Sequence, residues 1–311
     1  VTTVFESSTS PASISPLLTD LTTVSRPRRV KNTVMTTLMG MSVAVVAVVL
    51  LLVLATVVSK GWSIVASEFP KWFTKDIQLS PRRPGPGMKA AIVGTLVATA
   101  TATVIAVPLG IAGAVYLNEY GKTSLFARTL RFLSNVMAGV PSIVMGLFIY
   151  VFWVVPRGVD GLNGFSGALA LACLMLPIVV RSTEEMLRLV PQNLRDASLA
   201  LGATTSRTTL TVVIPRAASG IISGSLLAVA RAAGETAPLI FTIGAAKRTN
   251  WNPFSGTNTS LSLQIYANAK ESFPTAQERA WGAALTLIIV AFMFTFVARA
   301  LSGRFAKNST S

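Results

Sequence analysis

The sequence has no histidine, one cysteine, and 12 acidic residues against 27 basic ones in a chain of 311. Without histidine, the side chain most used for metal ligation and for proton transfer near neutral pH is missing, and no metal site is expected. The lone thiol, Cys173, rules out an intrachain disulfide, and its place inside an apolar run makes it a packing residue. Charged residues make up only 13% of the chain. The cations are scattered between apolar runs and form no stripe, which argues against nucleic acid as a partner. A nucleotide site is missing too. Gly121, Lys122 and Thr123 spell G-K-T, but a phosphate-binding loop needs a further glycine five residues earlier, where Tyr116 stands, and no buried strand precedes it. G-K-T is therefore expected to be a turn between spans.

What the chain has in abundance is apolar length. Half of it, 51%, is hydrophobic, with a mean hydropathy of +0.61. No charge interrupts the 28 residues between Lys31 and Lys60, the 29 between Lys89 and Glu119, the 25 between Arg131 and Arg157, the 20 between Asp160 and Arg181, or the 19 between Arg279 and Arg299. A membrane helix needs about 20 predominantly apolar residues. A sixth run, Ala217 to Ala246, is long enough but contains Arg231 and Glu235. The expectation is an all-α integral membrane protein with six transmembrane helices, because only helices or closed barrels satisfy the backbone in lipid. An even number of spans puts both termini on one side. Arg26, Arg28, Arg29 and Lys31 just before the first span favour a cytoplasmic side, and that orientation leaves 15 Lys and Arg inside and 11 outside. The basic outer loops, with Lys71, Lys75, Arg82, Arg83, Lys247 and Arg248, are read first as flanking charge and second as a lure for an anion or an acidic partner.

The Ser-, Thr- and Pro-rich start is expected to be a disordered cytoplasmic tail over residues 1–30, with the six-span transmembrane domain over 31–311. It does not read as a signal peptide, since the basic residues follow it.

The segment ARAAGETAPL, Ala230 to Leu239, is the focus of the functional reading. A charge at the centre of a membrane helix costs roughly 2.5–3.5 kcal/mol on insertion scales, so a cation and an anion there need each other or a wet cavity. Their i, i+4 spacing places them on one helix face. Arg231 offers a planar fork of donors suited to an oxyanion, Glu235 restrains it, and Thr236 with the serines of this span offers hydroxyls. The alternative is a salt bridge that only fixes packing. Gly220 and Gly224 form a G-x-x-x-G pair on nearly the same face as Arg231. That face is expected to meet another membrane subunit and to line a path.

The loop from Arg181 to Arg216 is longer than a helix connection requires. Within it, Gln192 to Leu201 is helical, with Leu194, Ala197 and Leu201 on one side, and Gly202 stops it. Here the chain resembles the membrane subunits of ATP-binding-cassette importers, which carry a loop of the form E-A-A-x-x-x-G-x9-I-x-L-P. Asp196, Ala197 and Ser198 stand at the E-A-A positions, Gly202 at the glycine, and Val212, Ile214 and Pro215 at the I, L and P positions. The substitutions within the motif are conservative. VPSIVMGLF at Val140 to Phe148, the G-E-T-A-P-L string and LQIYANAKESFPTAQERAWGAALTLI from Leu263 to Ile288 narrow the resemblance to phosphate-importer permeases of the Pst type, nearest the PstA branch.

The resemblance implies a type I, MetI-like permease architecture. It also implies that Asp196, Ala197, Ser198, Gly202 and Pro215 belong to a helix-and-turn that couples the spans to an ATPase. The implied partners are a second, PstC-like permease in a heterodimer, two PstB-like ATPase subunits, an extracytoplasmic PstS-like phosphate-binding protein, inorganic phosphate and membrane lipid. No cofactor is expected in this chain, since ATP and Mg would bind the ATPase subunits. Transport of another oxyanion such as sulfate or molybdate, a proton-coupled secondary transporter with Glu235 as the proton carrier, and a membrane scaffold that senses phosphate are the other readings.

Overall fold

The computed structural model describes residues 26–308, apart from 84, 86, 122 and 123. Among these residues nine helices of eight or more residues carry the architecture. They are α1 (Arg26–Ser67), α2 (Lys89–Val115), α3 (Leu125–Gly139), α4 (Ser142–Ile149), α5 (Gly164–Arg188), α6 (Gln192–Ala200), α7 (Ile214–Ala233), α8 (Leu261–Ala269) and α9 (Pro274–Asn308). Six helical segments are long and apolar enough to cross a membrane: Pro27–Ser67, Lys89–Gly121, Ser142–Gly161, Gly164–Arg188, Thr205–Ala233 and Pro274–Val297. The expected all-α, six-span chain is therefore the observed one.

The expected tail lies outside the described residues as far as position 25, and residues 26–30 already belong to α1. Lys122 and Thr123 of the G-K-T string also lie outside them, while Gly121 closes a π turn at the end of the second span.

Residues up to Thr56 form one unit and those from Val57 onward a second. In the first, the described residues are helical and apolar on every side, with Val43, Leu50 and Leu52 all well exposed, as a helix surrounded by lipid should be. In the second, the core is built from small side chains. Ala98, Ala102 and Ala106 of α2 meet Ala168, Leu171, Ala172, Met175 and Val179 of α5 and Ala228, Val229 and Ala232 of α7. Lipid tails are as apolar as leucine, so such helices associate by close backbone packing, which alanine and glycine permit.

Two spans depart from the expected limits. The third does not run on from Asn135. Val140 and Pro141 are both extended, because the proline ring excludes the α conformation for the residue before it. α3 is thus a separate helix, and the span begins at Ser142. The fifth was expected over Ala217–Ala246 but ends at Ala233. It gains its length at the other end, where Thr204 caps a first turn, Thr205–Thr208, and a π turn, Thr209–Val213, leads into α7. Pro215 sits in the first turn of α7, where a missing N–H is tolerated.

The G-x-x-x-G face also departs from expectation. A Cβ on Gly224 would lie 2.6 Å from Ser182 Oγ, and one on Gly220 would collide with the Met186 sulfur. Both glycines are occupied by α5 of the same chain, so they serve intramolecular packing and not a second subunit. The reason is local. Met186 and Ser182 are one turn apart on α5, as Gly220 and Gly224 are on α7, and the two antiparallel ridges interlock.

This packing predicts a sharp contrast. Gly224→Leu must push α7 off α5, at an overpacking cost of about 1–3 kcal/mol, and should lower the melting temperature and the yield of monodisperse protein in fluorescence-detected size exclusion. Gly139→Leu, where a Cβ meets nothing within 4 Å, should leave both unchanged.

Candidate functional site

Register follows from that packing. With Gly220 on Met186 and Gly224 on Ser182, α7 runs antiparallel to α5, and Arg231 falls beside Leu174 and Ile178, near the middle of α5. The charge is at mid-depth of the bundle, as its place in the apolar run suggested.

α7 stops one turn after Arg231. Gly234 caps it, its N–H bonded to the Arg231 carbonyl, and Pro238 then starts a single turn, Leu239–Thr242. Glu235 is therefore beyond the helix end and not within it. Non-helical backbone at membrane depth is tolerated only where protein or water satisfies it. Protein satisfies it in part, since the Ser262 hydroxyl donates to the Glu235 carbonyl at 2.7 Å, and the segment borders a cavity.

The cavity measures about 460 Å³ and opens between α3, α4, α5 and the end of α7. Its polar lining is Ser142, Ser182, Arg181, Glu185, Arg231 and Glu235. Arg231 Nε lies 3.5 Å from Glu235 Oε1, with the arginine side chain 70% exposed and the glutamate 19%. Arg181 Nε lies 3.3 Å from Glu185 Oε1, and both are open to the cavity. Two Arg–Glu pairs of the same i, i+4 spacing thus line one cavity. Arg181–Glu185 is exposed on both sides, and such pairs hold with about 0–1 kcal/mol, whereas in the other pair Arg231 is exposed and Glu235 mostly covered.

Thr236 does not join them. It is half-buried, and the helix face that would have carried it forward ends at Gly234. Ser219, Ser223 and Ser225 are not in the lining either, and the hydroxyls come instead from Ser142 and Ser182 of other helices. The sequence reading missed Arg181, Glu185, Ser142 and Ser182. The signal for the first two was present as a second R-x-x-x-E spacing at the end of a charge-free run.

The loop expected over Arg181 to Arg216 is shorter than that, since α5 runs on to Arg188 and the fifth span begins at Thr205, but the connection between them holds α6, as expected. None of its side chains is fully buried. Asp196 and Ala197 are exposed, and Ser198 shares a 2.9 Å hydrogen bond with the Thr208 hydroxyl. Leu194 packs inward against Val213 and Leu187, whereas Leu201 is 89% exposed and Ala197 faces out with it. The expected single apolar side is therefore divided, because the wall of the spans reaches only the Leu194 end of the helix. Gly202 has φ +82 with nothing near its Cβ position. Its role is the left-handed turn itself, which a side chain strains.

Residues 106–307 match the family model described as "Binding-protein-dependent transport system inner membrane component". The chain is 44% identical over 264 residues to "Phosphate transport system permease protein PstA 1" of Mycobacterium tuberculosis (strain CDC 1551 / Oshkosh), covering 85% of this chain and 86% of that one. It is 43% identical over 268 residues to "Phosphate transport system permease protein PstA" of Mycobacterium leprae (strain TN), covering 86% and 87%. Among solved structures, an inward-facing MetNI methionine ABC transporter superposes with a TM-score of 0.54 at 19% identity, over 68% of this chain and 91% of that one. This last likeness concerns the fold, and it is the MetI-like architecture that the loop motif implied. The chain thus belongs to the family of inner membrane components of binding-protein-dependent transport systems, and within it to the PstA-type permeases.

Proposed function

We propose that this chain is the permease subunit of an ATP-binding-cassette importer that moves inorganic phosphate across the cytoplasmic membrane, itself non-catalytic and powered by a separate ATPase. The observation that carries this reading is the Arg231–Glu235 pair at mid-depth, facing a cavity that a second Arg–Glu pair shares. Relatives named as phosphate permeases favour phosphate over sulfate or molybdate.

Phosphate carries one to two negative charges at neutral pH, and lipid excludes it. Arg231 presents a permanent charge and paired donors to its oxygens. Glu235, 3.5 Å away, holds the guanidinium when the path is empty and yields as the anion arrives. Arg181, on α5 toward its Arg188 end, receives the ion next, with Glu185 as its resting partner. Two acceptors that each hold a competing carboxylate bind weakly enough to release. The hydroxyls of Ser142 and Ser182 complete the solvation of the ion.

The energy enters at α6. Its exposed face, with Asp196, Ala197 and Leu199, docks on an ATPase subunit, and Gly202 turns the chain back toward α7 through Pro215. This places the α6 loop and both termini on the cytoplasmic side. Two PstB-like ATPases, which hold the ATP and Mg, a PstC-like permease and an extracytoplasmic PstS-like phosphate-binding protein complete the assembly.

Uptake of labelled phosphate, normalised to assembled complex, tests the path. Arg231→Gln should lose about tenfold to hundredfold, the worth of charge-assisted hydrogen bonds to an anion. Arg231→Lys should retain little, since a point charge does not reproduce the fork. Glu235→Gln should be milder. Near-normal uptake by Arg231→Gln would remove the site. If Arg231→Gln and Glu235→Gln instead lower complex yield, and the double variant restores both yield and uptake, the pair is only packing.

The docking assignment has its own test. Gly202→Val places a β-branched side chain at φ +82, costing about 1–2 kcal/mol, outside the spans. Copurification of the ATPase, or ATP-driven uptake, should fall by about tenfold while membrane insertion is retained. A variant that assembles and transports as the wild type does would show that the turn has no part in docking.

A further inference from the structure

α6 has to be attached to the spans, yet most of its side chains face outward. Leu194 packs against the spans and Ser198 bonds to Thr208, but the most extensive tie is made by Arg195. The Arg195 side chain is 11% exposed and meets Glu119, whose side chain is 7% exposed, at the end of the second span. Arg195 Nη2 donates to Glu119 Oε1 at 3.0 Å and Nε donates to Oε2 at 3.3 Å. The same guanidinium donates from Nη1 to the Val190 carbonyl at 2.6 Å and from Nη2 to the Leu187 carbonyl at 2.8 Å. Leu187 is in the last turn of α5, and Val190 lies just past it. The Leu187 carbonyl also takes the Val190 N–H at 3.3 Å, and at a helix end such carbonyls draw on donors from outside the helix.

The acceptor side is equally specific. Glu119 lies in the π turn Tyr116–Gly121, a widened turn that often marks a functional position. A second arginine grips the same turn, Arg131 of α3, whose Nη2 donates to the Leu117 carbonyl at 2.8 Å and whose Nε pairs with Glu184 of α5 at 2.9 Å. The end of α2, the end of α5 and α3 are thus fastened together. α3 leads to Ser142 on one wall of the cavity, and α5 carries Arg181 and Glu185 on another.

We propose that Arg195 is the positioning residue through which movement of α6 reaches the phosphate path. It binds α6, the end of the second span and the end of α5 into one body. The inference rests on the phosphate-importer reading for what is moved, but the fastening itself does not depend on the substrate. Arginine is needed because one planar fork must serve four acceptors, two on Glu119 and two at the end of α5, which an ammonium group cannot do. Burial makes the tie firm. Both guanidiniums of the cavity pairs are largely exposed, whereas Arg195 and Glu119 are enclosed, and a buried, fully hydrogen-bonded pair stays closed as its neighbours move.

The experiment uses the assembled complex with its ATPase subunits, reconstituted in proteoliposomes. Arg195→Gln, Arg195→Lys and Glu119→Gln are compared for ATP hydrolysed, phosphate moved per ATP, and the KM for phosphate. Each variant should keep at least half of the hydrolysis rate, with phosphate per ATP down at least tenfold and KM within about twofold of the wild type. A role in folding alone lowers the amount of complex but leaves the ratio unchanged, and that result overturns the proposal. Where the Gln variants assemble poorly, Arg195→Lys decides, since it keeps the charge and loses the fork. A wild-type ratio in Arg195→Lys contradicts the proposal.

A second arm reads the tie without phosphate. Spin labels at Ala200→Cys and Phe132→Cys, with Cys173 replaced by alanine, report the spread of distances between α6 and α3. The distribution should broaden in Glu119→Gln, and an unchanged one overturns the proposal. If the wild-type complex moves no phosphate while the distribution still broadens, the substrate reading has failed and the tie stands.

Discussion

Everything in this chain answers to the cost of charge and of unpaired backbone at membrane depth. Arg231 can lie beside the middle of α5 only because α7 stops at Gly234, the Glu235 carbonyl is taken by Ser262, and a cavity opens there with a carboxylate beside the guanidinium. Had the helix run on to Ala246 as one apolar rod, the two charges would have faced packed side chains or lipid, at several kcal/mol. The broken helix and the polar cavity are one solution to that constraint. The interlocked glycines of α7 set the depth at which it is made.

The molecule uses ion pairs of two kinds, and solvent decides which is which. Arg231–Glu235 and Arg181–Glu185 open onto the cavity at 3.5 and 3.3 Å, and such pairs are easily traded. Glu119–Arg195 is enclosed, and removing one partner of such a pair costs about 3–5 kcal/mol. On the proposed reading, the open pairs lie where a passing anion is held and released, and the enclosed one where motion is passed on, so that the same residue types would serve passage in one place and rigidity in another.

Much of this was legible in the sequence. Charge-free runs marked five of the six spans, because a membrane leaves no other place for 19 to 29 uncharged residues, and the apolar run around Arg231 and Glu235 marked the other. The motif around Asp196 and Gly202 marked α6 and its left-handed turn. Hydropathy could not show where helices stop within lipid. Val140–Pro141 breaks the third span before it starts, and Gly234 ends the fifth early, by backbone geometry that leaves the apolar count unchanged. Nor could it show partners distant in sequence. Glu119 and Arg195 lie 76 residues apart, and Ser142 and Arg231 come to line one cavity only in the fold. The G-x-x-x-G pattern announced close helix contact, but a pattern in one helix does not say which neighbour fills it.

The central claim is that Ser142, Arg231 and their neighbours line a water-filled route for phosphate at mid-membrane depth. Cys173 is the chain's one cysteine, so a single thiol can be placed there. With Ser142→Cys in a Cys173→Ala background, and partner subunits without cysteine, the rate of modification by a charged, water-soluble thiosulfonate should be measured in proteoliposomes with and without phosphate. The account predicts modification from water that phosphate slows and that changes when ATP hydrolysis is arrested. A thiol that never reacts, or that reacts at one rate under every condition, would contradict it.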